Sequence, residues 1–86
     1  MKQTEKILKA LANRRRLAIL KLLSSTAKAS VGDIAKEIKL SFKATSKHLV
    51  ILRNADILDR EQVNLQMYYS LIRPVHPIIK SVVDEL

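Results

Sequence analysis

The segment spanning residues 41–53, SFKATSKHLVILR, combines cationic, hydroxyl and imidazole side chains and contains no acid. Cations attract phosphates, and short hydroxyls can pair with the edges of bases. A helical period divides the segment into two faces. One face carries Thr45, His48, Leu49 and Leu52, and the other carries Phe42, Lys43, Ser46 and Lys47. The pattern fits a helix that enters the major groove of a duplex, and it also fits an ordinary amphipathic surface helix.

The polar side chains of this segment differ in the contacts they could make. Lys43 and Lys47 are suited to phosphates, and Ser46 could bond a phosphate or a base edge. Ser41 precedes the helix, where its hydroxyl would accept a backbone N–H of the first turn. The helix N-terminus that follows favours anions. We therefore take these four residues as candidate DNA-binding residues.

Phe42 and His48 each leave two interpretations open. Phe42 could touch a thymine methyl group, or it could cover the turn before the helix. His48 could contact DNA, but by spacing it adjoins the apolar face, where it could instead be half-buried and hydrogen-bonded within the domain. Both remain candidate DNA-binding residues.

Composition limits the class of protein. A net charge of +8 on 86 residues favours a nucleic acid or an anionic surface as partner, although charge also serves solubility. The absence of cysteine excludes disulfides and thiolate metal sites within this sequence. There is no apolar run of 18 residues and no signal-peptide core, so we expect a cytoplasmic protein without membrane association.

The order of the remaining patterns predicts a single domain over residues 1–86, mainly α-helical with a β-hairpin. Glycine occurs once and proline twice, so few residues interrupt regular structure. A helix, a short turn and a basic helix form a helix-turn-helix, and a hairpin directly after it is a wing. The predicted order is α-α-α-α-β-β-α. The predicted helices span residues 4–12, 14–24, 31–39, 42–53 and 74–86, and the predicted hairpin strands span 57–62 and 66–72.

Local signals support these boundaries. Asn13 and Ser30 are suitable N-caps, and Asp56 tolerates the left-handed conformation at a helix exit. Pro74 suits the first turn of the last helix. That helix carries more apolar residues than a terminal helix on a small monomer would bury. We therefore expect helix 74–86 to form a dimer surface; the alternative is that part of it covers the core and frays beyond Val83.

Three runs of this sequence resemble the ArsR-type family of winged helix-turn-helix transcriptional repressors. They are KALANRRRLAILKLL, DIAKEIKLSFKATSKHLVILRNADIL and YYSL, and together they cover nearly the whole chain. The resemblance implies a homodimer, paired through its first and last helices, that binds an imperfect inverted repeat in double-stranded DNA. It places the recognition helix on residues 41–53 and the DNA contacts on Phe42, Lys43, Ser46, Lys47 and His48.

The sequence departs from that family at its metal sites and its wing. The helix before the turn lacks the cysteines through which many members sense metals, and the last helix has only His76 as a nitrogen ligand. We therefore predict no metal site and no cofactor. Arg60 is the candidate phosphate contact of the wing, but Asp59 and Glu61 flank it and weaken that assignment.

Three functional hypotheses follow. The first is a dimeric, sequence-specific DNA-binding regulator, expected to be a repressor; the second is a winged-helix protein-interaction module; the third is a non-specific nucleic-acid-binding protein. The basic, acid-free helix favours DNA. No nucleophile, phosphate loop or carboxylate pair indicates an enzyme. The sequence does not specify the operator, the regulated genes or an inducing signal.

Overall fold

The elements follow the predicted order, with one additional short strand. The computed structural model describes residues 2–86, so residue 1 of the predicted domain lies outside the described residues. The elements are α1 (Lys2–Leu11), α2 (Arg14–Ser24), β1 (Ala29–Ser30), α3 (Val31–Glu37), α4 (Phe42–Asn54), β2 (Leu58–Val63), β3 (Gln66–Leu71) and α5 (Pro77–Glu85). This is a winged helix-turn-helix, as the sequence predicts.

Side-chain caps start four of the helices, α2, α3, α4 and α5. Asn13 Oδ1 accepts the backbone N–H groups of Arg15 and Arg16 at the start of α2. Ser30 Oγ accepts the N–H of Asp33 at 3.1 Å at the start of α3. These are the N-caps expected from the sequence, and each satisfies backbone donors that a helix cannot pair internally.

Left-handed residues reverse the chain on both sides of α4. The predicted helix 31–39 ends earlier, at Glu37, because Lys39 takes a φ of 56° and turns the chain toward α4. The N–H of Leu40 then bonds the carbonyl of Ala35 at 3.0 Å. Asp56 takes a φ of 59° after α4, as predicted for the helix exit. These two reversals fix the direction in which α4 leaves the domain surface.

The wing belongs to a three-stranded antiparallel sheet in the order β1-β3-β2. Residues 25–30, which lie between the predicted helices 14–24 and 31–39, include the short strand β1. Its Ala29 and Ser30 pair with Tyr69 and Tyr68. A two-residue strand is too short to show an alternating pattern, so the sequence could not indicate it. The tip of the β2–β3 hairpin turns through Asn64, which takes a φ of 58°. The predicted two-strand hairpin is thus confirmed but incomplete.

The first and last helices differ in detail from the sequence predictions. Helix α1 spans residues 2–11 and not 4–12; its Ile7, Ala10 and Leu11 are buried, whereas Leu8 is 51% exposed. The last helix begins at Pro77, and not at Pro74. A residue before proline is disfavoured in helical conformation, so His76 cannot continue a helix into Pro77. His76 instead caps α5, and its Nδ1 accepts the N–H of Ile78 at 3.1 Å.

Candidate nucleic-acid interface

Helix α4 has one buried face and one exposed face. Thr45, Leu49 and Leu52 have no exposed surface and pack into the core between the other helices. Lys43 and Lys47 are exposed on the opposite side, and Ser46 is partly exposed beside them. This division agrees with the sequence prediction, and it aims the polar residues of α4 away from the domain.

The start of α4 is open to solvent. The hydroxyl of Ser41 accepts the N–H of Ala44 at 3.1 Å, as expected for an N-cap. Because a hydroxyl donates as well as accepts, Ser41 keeps its own proton for an external acceptor. The first turn of α4 contains no acid. A phosphate at this end would therefore meet backbone donors, the helix dipole and the Lys43 ammonium together.

Phe42 does not cover the turn before the helix as a core residue would. Its side chain is 62% exposed. It lines a groove whose other walls are the first turn of α3 and the wing residues Leu65, Gln66 and Met67. Leu65, at the wing tip, is 97% exposed. The exposed ring of Phe42 is thus free to contact a base, which is one of its two predicted roles.

His48 is held within the domain by an arginine of α2. Arg16 Nη1 lies 3.2 Å from His48 Nδ1, and Arg16 Nε donates to the carbonyl of Ala10 at the end of α1. Arginine is only a donor, so Nδ1 must accept and the imidazole proton must sit on Nε2. The sequence left open whether His48 is hydrogen-bonded internally or contacts DNA. It bonds internally through one nitrogen, and the other remains a donor.

The charge state of His48 follows from its surroundings. Partial burial lowers its pKa below the ordinary histidine value, and the nearby Arg16 and Arg15 guanidinium groups lower it further. All three causes disfavour the imidazolium. His48 is therefore a neutral hydrogen-bond donor at neutral pH.

The three arginines at the start of α2 take different roles. Arg15 Nη1 donates to the carbonyl of Ile38 at 3.1 Å, and Arg16 bonds Ala10 and His48. Arg14 is exposed at the helix start. The side chains of Arg15 and Arg16 thus donate to backbone carbonyls and not to acids. They connect the start of α2 to the ends of α3 and α1.

The wing offers less positive charge than α4. Arg60 is exposed on β2, while Glu61 Oε1 pairs with Lys28 Nζ at 3.3 Å. Lys28 Nζ also lies 5.2 Å from the centre of the Tyr68 ring. The Lys28–Glu61 pair is the one ion pair within residues 2–86, so neither Lys43 nor Lys47 is paired with an acid there.

Two exposed apolar residues of α4, Val50 and Ile51, were not predicted from the sequence. Val50 is 41% exposed and follows Lys47 by one turn on the outer face. Its spacing from Lys43 and Ser46 could have revealed this position, because residues seven and four apart share one side of a helix. Ile51 is equally exposed, but it lies toward α1 and lines a groove with Lys6, Lys9 and Arg16.

Two further structural observations concern the predicted absences. Within residues 2–86, no three histidine, aspartate or glutamate side chains gather in a group that could hold a metal ion. None of the helices described is long and apolar enough to cross a membrane.

Comparisons with known proteins agree on the family. The family model for bacterial regulatory proteins of the arsR family matches residues 13–60, more than half of the chain. The HTH-type transcriptional regulator YgaV of Escherichia coli K12 is 33% identical over 69 residues, which cover 80% of this chain and 70% of YgaV. The transcriptional activator HlyU of Vibrio cholerae is 37% identical over 65 residues, which cover 76% of this chain and 59% of HlyU.

Solved structures agree on the fold. Reduced HlyU from Vibrio cholerae N16961 superposes with a TM-score of 0.83 at 31% identity, covering 98% of this chain and 84% of that one. The homodimeric winged helix-turn-helix DNA-binding domain Mb0332 from Mycobacterium bovis gives a TM-score of 0.81 at 25% identity. The superposition covers 98% of this chain and 74% of that one. The chain therefore belongs to the arsR family of bacterial regulatory proteins and is a transcriptional regulator with a winged helix-turn-helix fold.

Proposed function

We propose that this protein is a dimeric repressor that binds an inverted repeat in double-stranded DNA, with α4 in the major groove of each half-site. The observation that carries the proposal is the outer face of α4, where Lys43 and Lys47 are exposed and unpaired and no acid is present. An exposed helix with this charge suits a groove walled by phosphates. The winged helix-turn-helix fold provides the rigid support that holds the helix outward.

The residue assignments follow from position on that face. Lys43 and Lys47 contact phosphates, and Ser41 adds a phosphate contact at the helix start. Ser46 faces a base edge between them. These contacts place the first two turns of α4 against the duplex.

Three residues at the edges of this face complete the proposed contact set. Phe42 meets a thymine methyl group near the wing, and His48 donates through Nε2 at the opposite edge. Arg60 adds a weaker phosphate contact from the wing, because Asp59 and Glu61 lie beside it in sequence. The set is therefore centred on α4.

The dimer would form through α1 and α5. Leu8 is 51% exposed on α1, and on α5 only Ile79 is buried while Val82 and Val83 are partly covered. Exposed apolar surface on a small domain indicates an interface. The Mycobacterium bovis domain of the same fold is homodimeric. A two-fold dimer presents two α4 helices and therefore recognises an inverted repeat.

The remaining parts of the proposal concern action in the cell. A dimer bound over a promoter blocks polymerase without any further contact, which is why we propose repression; the relative HlyU is named an activator, so a reporter assay must decide the sign. We propose action in the cytoplasm without cofactor and without enzymatic activity.

The test is selection from a random duplex pool by the purified protein at physiological salt. Recovery of an inverted repeat with half-sites about one helical turn apart would support the proposal. Recovery of no motif, with binding that disappears as salt is added, would indicate the non-specific alternative. Absence of any DNA binding would favour a protein-interaction module.

A further inference from the structure

Val50 is an apolar side chain at the centre of a polar helix face. It follows Ser46 by four residues and Lys47 by three, so these side chains share one side of α4. The surface between Ser46, Lys47, Val50 and Ile51 consists of apolar atoms only. Val50 itself is 41% exposed, whereas Leu49 and Leu52 have no exposed surface. The core therefore does not account for its apolar character.

Charge on the same face indicates what covers Val50. Lys43, Lys47 and Arg53 lie one or two turns from it, and α4 contains no acid. An apolar protein partner would have to bury these cations or supply acids for each. The major groove of DNA instead provides phosphates on both sides and one apolar group on its floor, the thymine 5-methyl. Of these two partners, only the major groove of DNA complements both the cations and the apolar side chain of Val50.

We propose that Val50 contacts a thymine methyl group and thereby determines one base of each half-site. This inference rests on the proposed function, because it requires α4 in the major groove. It adds a specificity residue outside the set formed by Ser41, Phe42, Lys43, Ser46, Lys47, His48 and Arg60.

Helix geometry places this thymine relative to the base contacted by Ser46. Four residues advance about 6 Å along a helix axis. Successive base pairs are about 3.4 Å apart along the duplex. The thymine should therefore lie about one or two base pairs from the position that Ser46 reads.

Uracil substitution tests the contact, because uracil lacks only the methyl group and keeps every hydrogen-bonding atom. Each thymine in one half-site of the selected operator is replaced in turn, and the dissociation constant is measured at fixed salt. For the wild-type protein, one substitution should weaken binding about fourfold, the value expected for one methyl group leaving an apolar contact. For Val50→Ala, the same substitution should have little further effect.

Val63→Ala is the matched control, since Val63 is the same residue type with nearly the same exposure, 39%, but lies on β2 of the wing and not on α4. It should keep the full difference between thymine and uracil at that position. Val50→Thr keeps the branched shape but replaces one methyl with a hydroxyl, so it should give an intermediate difference. Thermal unfolding confirms that each variant folds, which is expected because the substituted side chains are exposed.

The outcomes separate this inference from the proposed function. If selection recovers an inverted repeat but Val50→Ala retains the full discrimination against uracil, the valine contact is wrong and the proposed function stands. If no thymine is sensitive to methyl removal in the wild type, the contact is likewise overturned. If no site is recovered at all, the proposed function fails, and the inference fails with it.

Discussion

Helix α4 and the wing both extend from the domain surface, yet they present opposite surfaces. The outer face of α4 carries exposed cations without an acid, and every buried residue lies on its inner side. The wing carries Asp59, Arg60 and Glu61 in a row, and Lys28 pairs with Glu61. Its tip residue, Leu65, is apolar and 97% exposed. Of these two regions, only α4 therefore carries the net positive charge that phosphates attract.

This difference predicts how binding energy is distributed. Phosphate contacts supply most of the affinity of a DNA-binding protein, and base contacts supply its specificity. Both kinds of side chain occur together on α4, on a helix fixed by a fully buried inner face. The wing should therefore adjust binding only slightly, and variants of the two regions should differ accordingly.

The largest effect is expected from removing the lysines of α4. Lys43→Ala and Lys47→Ala together should weaken binding to all DNA sequences by roughly a hundredfold, about tenfold for each lost charged contact. The slope of log affinity against log salt concentration should become shallower by the amount expected for about two lost phosphate contacts. Arg60→Ala serves as the wing control and should change both quantities far less. An equal loss of DNA affinity for the α4 variant and for Arg60→Ala would contradict the proposal that α4 supplies most of the phosphate contacts.

Ser46→Ala should change specificity and not general affinity. A base-reading hydroxyl contributes about 1–3 kcal/mol of discrimination at one position. Binding to a panel of single-base operator variants would show this as tolerance at that position alone. If the loss is the same for every sequence, Ser46 contacts phosphate and does not read a base.

Thr45→Val tests the inner face of α4. Thr45 has no exposed surface, and its Oγ1 has no hydrogen-bond partner. Valine has the same shape without the unsatisfied hydroxyl, so the free energy of unfolding should rise by about 1 kcal/mol. Tm should increase by about 4–8 °C, measured at matched protein concentration, while DNA affinity stays unchanged. A loss of stability would show that the hydroxyl is satisfied in solution.

Glu61→Gln tests the negative charge of the wing. The pair with Lys28 is exposed at both ends, so its loss should alter the free energy of unfolding by less than about 1 kcal/mol. Removing an acid near DNA should strengthen binding about twofold at low salt, with the gain disappearing as salt screens it. A large gain would mean that the wing lies closer to the phosphates than we propose.

Arg16→Met tests the electrostatics behind α4. Burial is the main cause that lowers the pKa of His48, and Arg16 is the next. Removing this charge should raise that pKa toward about 6.5, the ordinary histidine value. A pH titration of the His48 ring by NMR measures this directly. An unchanged midpoint would exclude contact between the two side chains in solution.

The same pKa shift has a consequence for stability. Because folding lowers the pKa of His48, the unfolded chain binds more protons at acidic pH. The contribution of the neutral ring to the free energy of unfolding is complete above about pH 6.5. It is lost as the pH falls through the folded-state pKa of His48. Unfolding measured from pH 8 downward should show this loss in the wild type, and Arg16→Met should reduce it.

Short-range signals made most of the fold predictable. Helical periodicity gave α4 and its two faces, and cap residues gave the starts of α2 and α3. Strand β1 has only two residues, and the start of α5 depends on a choice between Pro74 and Pro77. Sequence patterns carry little information about either feature.

Contacts between distant residues were not predictable. The bond between Arg16 and His48 joins positions 32 apart, and no periodic pattern indicates such a pair. The exposure of Leu8 was not predictable either, because its spacing from Leu11 suits the core equally well. Val50 was missed because an apolar residue on a helix is ordinarily assigned to burial, although its spacing from Lys43 and Ser46 places it on the outer face.

The most direct test of the central claim is NMR mapping of the labelled protein titrated with its selected operator. We expect the largest chemical-shift changes at residues 41–50, with smaller changes at the wing and little change on the exposed side of α2. Changes concentrated on the wing or on α1 and α5, with α4 unaffected, would contradict the proposal that the outer face of α4 binds DNA.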